Sequence, residues 1–172
     1  MGPSCVWRDA IRPDRPLLQA FCCTKPAPRD KRGRPRPHLR PWERQVEAWI
    51  RQLTPPAGHR RVLRVAGDFG TILGVSALRI DKVLEPVPIV QLQVIAIHVH
   101  MRGTGGSFAD QMMADSLQSA LRLAVQASKT GAVVLAAVDP RNAPSQRLLR
   151  RSGFIMRAVL ANDLQEWAGQ IP

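Results

Sequence analysis

Asp139-Pro140-Arg141-Asn142-Ala143-Pro144-Ser145-Gln146-Arg147-Leu148-Leu149-Arg150-Arg151-Ser152-Gly153-Phe154 is the stretch that decides the fold. It follows an apolar run, Val133 to Val138, that reads as a buried strand. Asparagine is a good helix cap, so Asn142 opens a predicted helix over 142–152. Gly153-Phe154 ends that helix and leads into a last strand, Ile155 to Leu160. Ser145 comes three residues after Asn142, and Leu148 three after that.

Upstream lies Arg102-Gly103-Thr104-Gly105-Gly106-Ser107. A β-rich run precedes it, Ile89 to His100, with Ile89, Gln91, Gln93, Ile95, Ile97 and Val99 expected on one face. A long helix follows, about Ser107 to Ser128, with an expected apolar stripe of Phe108, Met112, Met113, Leu117, Leu121 and Val125. Three glycines between strand and helix let a ligand approach bare backbone. The first helical N–H groups have no partner within the helix, and the helix dipole favours an anion there. Arg102 adds a formal positive charge. A tight turn that uses glycine only for its backbone angles would leave the same letters. The loop lacks the lysine of GxxxxGK[ST] and the third glycine of GxGxxG, so nucleotide hydrolysis and hydride transfer lose ground.

Together the two stretches resemble the GNAT superfamily of N-acetyltransferases. Residues 142–154 are similar to that family's Asn-x-x-Ala/Ser-x-x-Leu-Tyr-x-x-x-Gly-Phe, and Arg102-x-x-Gly105-x-Ser107 to its coenzyme loop, Gln/Arg-x-x-Gly-x-Gly/Ala. One helix and one strand separate them, as in the family. The resemblance is strong over residues 61–160 and faint before. It implies an α/β fold, a central mixed and mostly antiparallel twisted sheet with flanking helices and a splayed strand pair at the coenzyme site. It implies acetyl-CoA as co-substrate and direct acetyl transfer to an amine. Ile97, His98 and Val99 would offer backbone groups to the pantetheine arm, and Arg102, Gly103, Thr104, Gly105, Gly106 and Ser107 would wrap the pyrophosphate. Asn142 would bond the pantetheine or fix the crossover, Ser145 would lie near the sulfur, and Leu148 would line the site. Locally, Asn142 could simply cap its helix and Ser145 be a small helix residue.

The family's tyrosine, which protonates the departing thiolate, falls at Leu149, and the chain contains no tyrosine. Two readings stay open. Another donor serves (Ser145, a water, or a cysteine of the N-terminal part), or the chain is a GNAT-like module that binds acyl-CoA without efficient turnover. The family's carboxylate positions carry Gln91 and Gln93. Glu85, His98 and His100 remain as candidate bases; a histidine's pKa suits the task, His98 and His100 are expected on one strand face, and His98 is the choice.

Working outward, the 172 residues suit one domain, with 1–41 a basic, proline-rich segment and 61–160 the coenzyme-binding core. Trp42, Val46, Trp49, Ile50 and Leu53 recur at helical spacing between Pro41 and Pro55-Pro56, and Leu17 to Phe21 suggests a shorter helix. Residues 61–66 and 71–80 read as a hairpin turned at Gly67-Asp68-Phe69-Gly70, and 164–171 as an added edge strand. Residues 25–41 alternate proline with charge and read as an extended loop. Cys5, Cys22 and Cys23 form no CxxC pair, and His38 alone completes no zinc set, so free thiols and no metal are expected. Of the 25 lysines and arginines, 15 lie in residues 1–64 against 5 acids there. That excess suits RNA or another acidic partner, or simply a solvated segment. No run spans a bilayer and no signal peptide is visible, so the expected location is the cytoplasm, without a membrane partner. The oligomeric state is open, a homodimer included.

Overall fold

The computed structural model describes residues 6–37, 40–67, 70–82, 87–103 and 106–172. Strand β1 (Trp7–Asp9), a 3-10 turn (Arg12–Asp14) and helix α1 (Arg15–Gln19) lead into a long loop and helix α2 (Pro41–Ile50). There follow β2 (Arg61–Gly67), β3 (Ile72–Lys82), β4 (Ile89–Ile97), a second 3-10 turn (Val99–Met101) and α3 (Ser107–Gln126). Then come β5 (Ala132–Val138), α4 (Ala143–Arg151), β6 (Ile155–Val159) and β7 (Gln165–Ile171). The strands form one sheet in the order β1-β2-β3-β4-β5-β7-β6. Among the described residues only β4 and β5 run parallel. A parallel pair needs a crossover, and α3 supplies it. The expected mixed, mostly antiparallel sheet with flanking helices is what forms.

Both faces of the sheet are covered. On one, α3 and α4 pack Met113, Ala120, Leu123, Leu148 and Leu149 against Leu78, Val90, Leu92, Val134 and Trp167. On the other, Leu18, Phe21, Cys23 and Ile50 from α1, α2 and the segment between them cover Leu63, Val65, Val75, Val94 and Ala96. The residues before α2 therefore contribute Ala10, Leu18, Phe21 and Cys23 to the second core cluster. The tip of the proline-rich loop is also more ordered than its composition suggests. Arg29 bridges to Pro35, and Asp30 accepts the N–H groups of Arg32 and Arg34.

Three expectations need correction. In β4 the alternation does not run unbroken from Ile89 to Val99. Ala77 pairs with Val94 and Leu78 with Leu92, so Gln93 is an extra residue, a β-bulge. The bulge swaps faces, so that Val90 and Leu92 join the core under α3 while Val94 and Ala96 join the other. The strand ends at Ile97, and Val99 and His100 lie in a 3-10 turn. In α3 the buried face runs through Met112, Met113, Ser116, Ser119, Ala120 and Leu123, while Val125 is exposed. The small residues at 116, 119 and 120 suit a close approach to the sheet. Finally, β7 is not an edge. It pairs with both β5 and β6. It carries buried Trp167, and its Gly169 lets the Phe154 ring approach where a Cβ would clash. Every residue of β6 is exposed, so β6 takes the edge.

Among the described residues no helix is long and apolar enough to cross a membrane, and no cluster of three metal-ligating side chains forms. Cys22 and Cys23 are free thiols. Cys5, His38, Asp68, Phe69, Glu85, Thr104 and Gly105 lie outside the described residues.

Candidate active site

The site begins where two strands part. β4 and β5 pair only from Ile89–Val133 to Leu92–Ala136. Beyond that point β4 continues against β3 alone, and β5 against β7. Along Gln93 to Ile97 the β5 side of β4 is therefore left without a ladder partner. Unpaired backbone groups inside a protein need partners, so this edge is a ready place for a ligand's amides. The gap is the expected splay. It opens as a cleft of about 380 Å³ toward α3 and about 310 Å³ toward β5, with Trp42, Val46, Ile95, Asn142, Ser145 and Leu148 lining both parts.

The outer part is cationic. Arg102, Arg147 and Arg151 line it together with Arg40, and Gly103 lies at its edge. Gly103 has φ +83°, a backbone conformation that suits glycine. Gly106 caps α3, and the first intrahelical bond runs from Asp110 N–H to the Gly106 carbonyl. The N–H groups of the turn beginning at Ser107 are thus free of the helix ladder, at the positive end of its dipole. Arg151 packs beside Gly106 and reaches Asp110 at 2.5 Å. Arg102 donates to Glu43 of α2 at 2.7 Å, and Arg40 approaches the same carboxylate at 3.1 Å. Sequence reasoning missed Arg147, Arg151 and the whole contribution of α2. The four-residue spacing of Arg147 and Arg151 on a helix was the available signal.

The roof of the cleft comes from α2, and one buried carboxylate fixes it. Glu47 accepts from the Cys23 N–H at 2.9 Å, the Thr24 N–H at 3.0 Å and the Thr24 hydroxyl at 2.8 Å. Burial alone would raise its pKa, but these hydrogen bonds outweigh burial and hold it below the usual glutamate value. Trp42 turns its indole over the cleft, with Arg141 stacked 5.0 Å from the ring centre. The Trp42 N–H is buried and has no partner among the described residues.

The remaining candidates separate. Ser145 lines both parts of the cleft, and its N–H donates to the Asn142 side chain at 3.3 Å, so Asn142 does cap α4. Ile97 lines the outer part, and Leu148 both. His98, Val99, Gly106 and Ser107 line neither. The His98 ring lies between Phe21, at 5.6 Å, and His100, at 4.8 Å. Burial, then the neighbouring His100, lowers its pKa, so it is neutral at pH 7. The strand ends before His98, so His98 and His100 do not share a strand face. Cys23 lines the outer part, and burial, then Glu47, pushes its thiol up to about 12. Leu149 is buried at the β5 end of the cleft, where it offers no proton.

No family model matches the sequence, and no curated protein does. Solved structures match along nearly the whole chain. The PaiA N-acetyltransferase from Thermoplasma acidophilum, in complex with coenzyme A, is similar with a TM-score of 0.66 at 11% identity, over 97% of this chain and 99% of that one. A mutant of the spermidine N-acetyltransferase SpeG from Vibrio cholerae gives 0.60 at 14% identity, over 96% and 93%. A mutant AtaT toxin, bound to the C-terminus of the antitoxin AtaR and acetyl-CoA, gives 0.62 at 14%, over 95% and 92%. Identities this low speak for the fold alone. The chain has the GNAT fold.

Proposed function

We propose that the protein transfers an acetyl group from acetyl-CoA to an amine. The observation that carries this reading is the parting of β4 from β5 after Leu92, with a cationic mouth at one end. Similarity to solved N-acetyltransferases, one in complex with coenzyme A, supports it. In this reading the loop from Arg102 to Ser107, with Thr104 and Gly105, holds the pyrophosphate on the first turn of α3, and Arg147 and Arg151 add charge. The free edge of β4 and the Trp42 N–H bond the pantetheine amides. Acetyl-CoA supplies an activated acyl group as a thioester.

The amine nitrogen forms a bond to the carbonyl carbon, polarised by a β4 backbone N–H, and the carbon–sulfur bond breaks. The nitrogen loses one proton and the sulfur gains one, so the products are an amide and a free thiol. Ser145, reaching both parts of the cleft, donates a hydrogen bond to the departing sulfur. Cys23 is a poor acid for this step, since its pKa of about 12 makes it hold its proton. His98 lines no part of the cleft and acts as a base only through water.

A second reading is favoured by one observation. Leu149 is buried where the family's tyrosine falls, so the fold could bind acyl-CoA without efficient turnover, and the basic turn at 29–36 could hold RNA. Calorimetric titration with acetyl-CoA tests the common part. The parent is expected to bind, and an Arg102→Ala/Gly103→Val variant to bind about tenfold to a hundredfold more weakly, because it loses a charged donor and strains a left-handed backbone. No binding by the folded parent sinks both forms of the coenzyme reading. Binding with no thiol release across a panel of amines, together with steeply salt-dependent RNA binding, selects the second.

A further inference from the structure

On the α2 face, beside the cleft, lies a third hollow of about 450 Å³, roofed by the end of α2 and the loop after it. Trp49 and Gln93 line both this hollow and the inner cleft, so the two adjoin. Arg61 and Arg79 line its floor and face each other across the β2–β3 ladder. Like charges in that position repel, so two opposed arginines call for an anion. Asp81 answers only in part, meeting one Nη of Arg79 at 2.6 Å. The Nε of Arg79 is buried without a partner, and Arg61 makes no ion pair among the described residues. Among the described residues, two guanidinium groups against one carboxylate leave a single positive charge.

The acids of the cleft are already engaged. No described aspartate or glutamate lines the hollow. Glu43, at the outer cleft, is held by Arg40 and Arg102, and Asp139, at the inner, by Arg141. A polyamine would therefore bring its second cation to a surface with no free carboxylate. From these observations, and resting on the acetyl-transfer reading above, we propose that the hollow holds the far end of the acceptor. The acceptor is then a primary amine carrying a carboxylate, whose one negative charge matches the one left over. Arg79 pairs with Gln91, two residues from the bulge at Gln93. With a rise of about 3.3 Å per residue and a strand spacing of about 4.8 Å, an amine placed at the bulge lies about 8 to 10 Å from a carboxylate on Arg79. Trp42 and Trp49 line the apolar stretch between them.

Aminooctanoate, octylamine and diaminooctane share a length and differ at one end, so they isolate the charge. With acetyl-CoA present, thiol release is expected to favour aminooctanoate over octylamine by about tenfold in kcat/KM, with diaminooctane the poorest. Arg79→Gln, and separately Arg61→Gln, should reduce that preference by raising KM for the acid, in proteins whose thermal melting shows them folded. A preference for diaminooctane, or equal use of all three, overturns the proposal. Octanoate binding, followed by NMR shifts without coenzyme, tests the hollow independently of turnover. Binding that weakens in Arg79→Gln supports the anion site, and no binding by the folded parent overturns it. Failure of acetyl-CoA to bind overturns the acetyl-transfer reading instead.

Discussion

Residues 61–160 and the residues before position 51 build opposite sides of one cleft by different means. The later region uses backbone. A left-handed Gly103, the bare first turn of α3 and the unpaired edge of β4 make its wall, and side chains such as Arg147 only reinforce it. The earlier region uses side chains brought from far along the chain. Trp42 and Glu43 close the cleft, Glu47 ties α2 to Cys23 and Thr24, and Asp9 reaches Arg64. A backbone site leaves a local mark in sequence, in glycines and a helix cap. A side-chain site needs only a few scattered residues, so its mark is diluted.

The largest effect is expected at the joint between the two regions. Arg64 is buried, donating to Asp9 of β1 at 2.9 Å and to Asp115 of α3 at 2.7 Å. Arg64→Met leaves Asp115 largely buried and unpaired, so chemical denaturation should show a loss of about 3 to 5 kcal/mol. A loss below about 1 kcal/mol would mean that the buried Arg64–Asp115 pair contributes little to the fold.

Next in size is the carboxylate under the roof. Glu47→Gln keeps an acceptor but removes the charge, and should cost about 1.5 kcal/mol at pH 7. The pH dependence has a definite sign. Glu47 has a folded pKa below its unfolded value, and so does Asp14, chiefly through its hydrogen bond from Arg8. Their contributions are present above about pH 4.5 and are lost as pH falls through the lowered values. Urea denaturation at pH 7 and at pH 3 should therefore show the gap between parent and Glu47→Gln closing in acid. A gap that stays constant would show that the charge contributes nothing.

The smallest effect separates roof from wall. Trp42→Phe keeps an aromatic ring and removes an N–H that has no partner among the described residues. Thermal stability should be unchanged or slightly higher, while acetyl-CoA should bind about fivefold more weakly, one hydrogen bond's worth. Unaltered affinity would confine coenzyme contacts to the backbone wall.

The same contrast governs what could be read in advance. The order of elements from β2 to β6, the capping role of Asn142 and the glycine loop before α3 were all legible. Each rests on interactions between residues a few positions apart, which short spacings record. The mixed sheet followed from the resemblance those spacings carry. The bulge at Gln93 was not legible, because an extra residue shows only against the partner strand. Without it, His98 and Val99 looked like the end of a strand facing the coenzyme, whereas the chain has already left the sheet. The burial of Leu18 and Phe21, the interior position of β7 and the opposed pair Arg61 and Arg79 likewise depend on which distant segments meet. Sequence spacing alone was enough for the glycine turn and the first turn of α3. Only the tertiary structure decided what closes the cleft and what charge it presents, since burial and ion pairing are properties of residues that share space rather than neighbourhood in the chain.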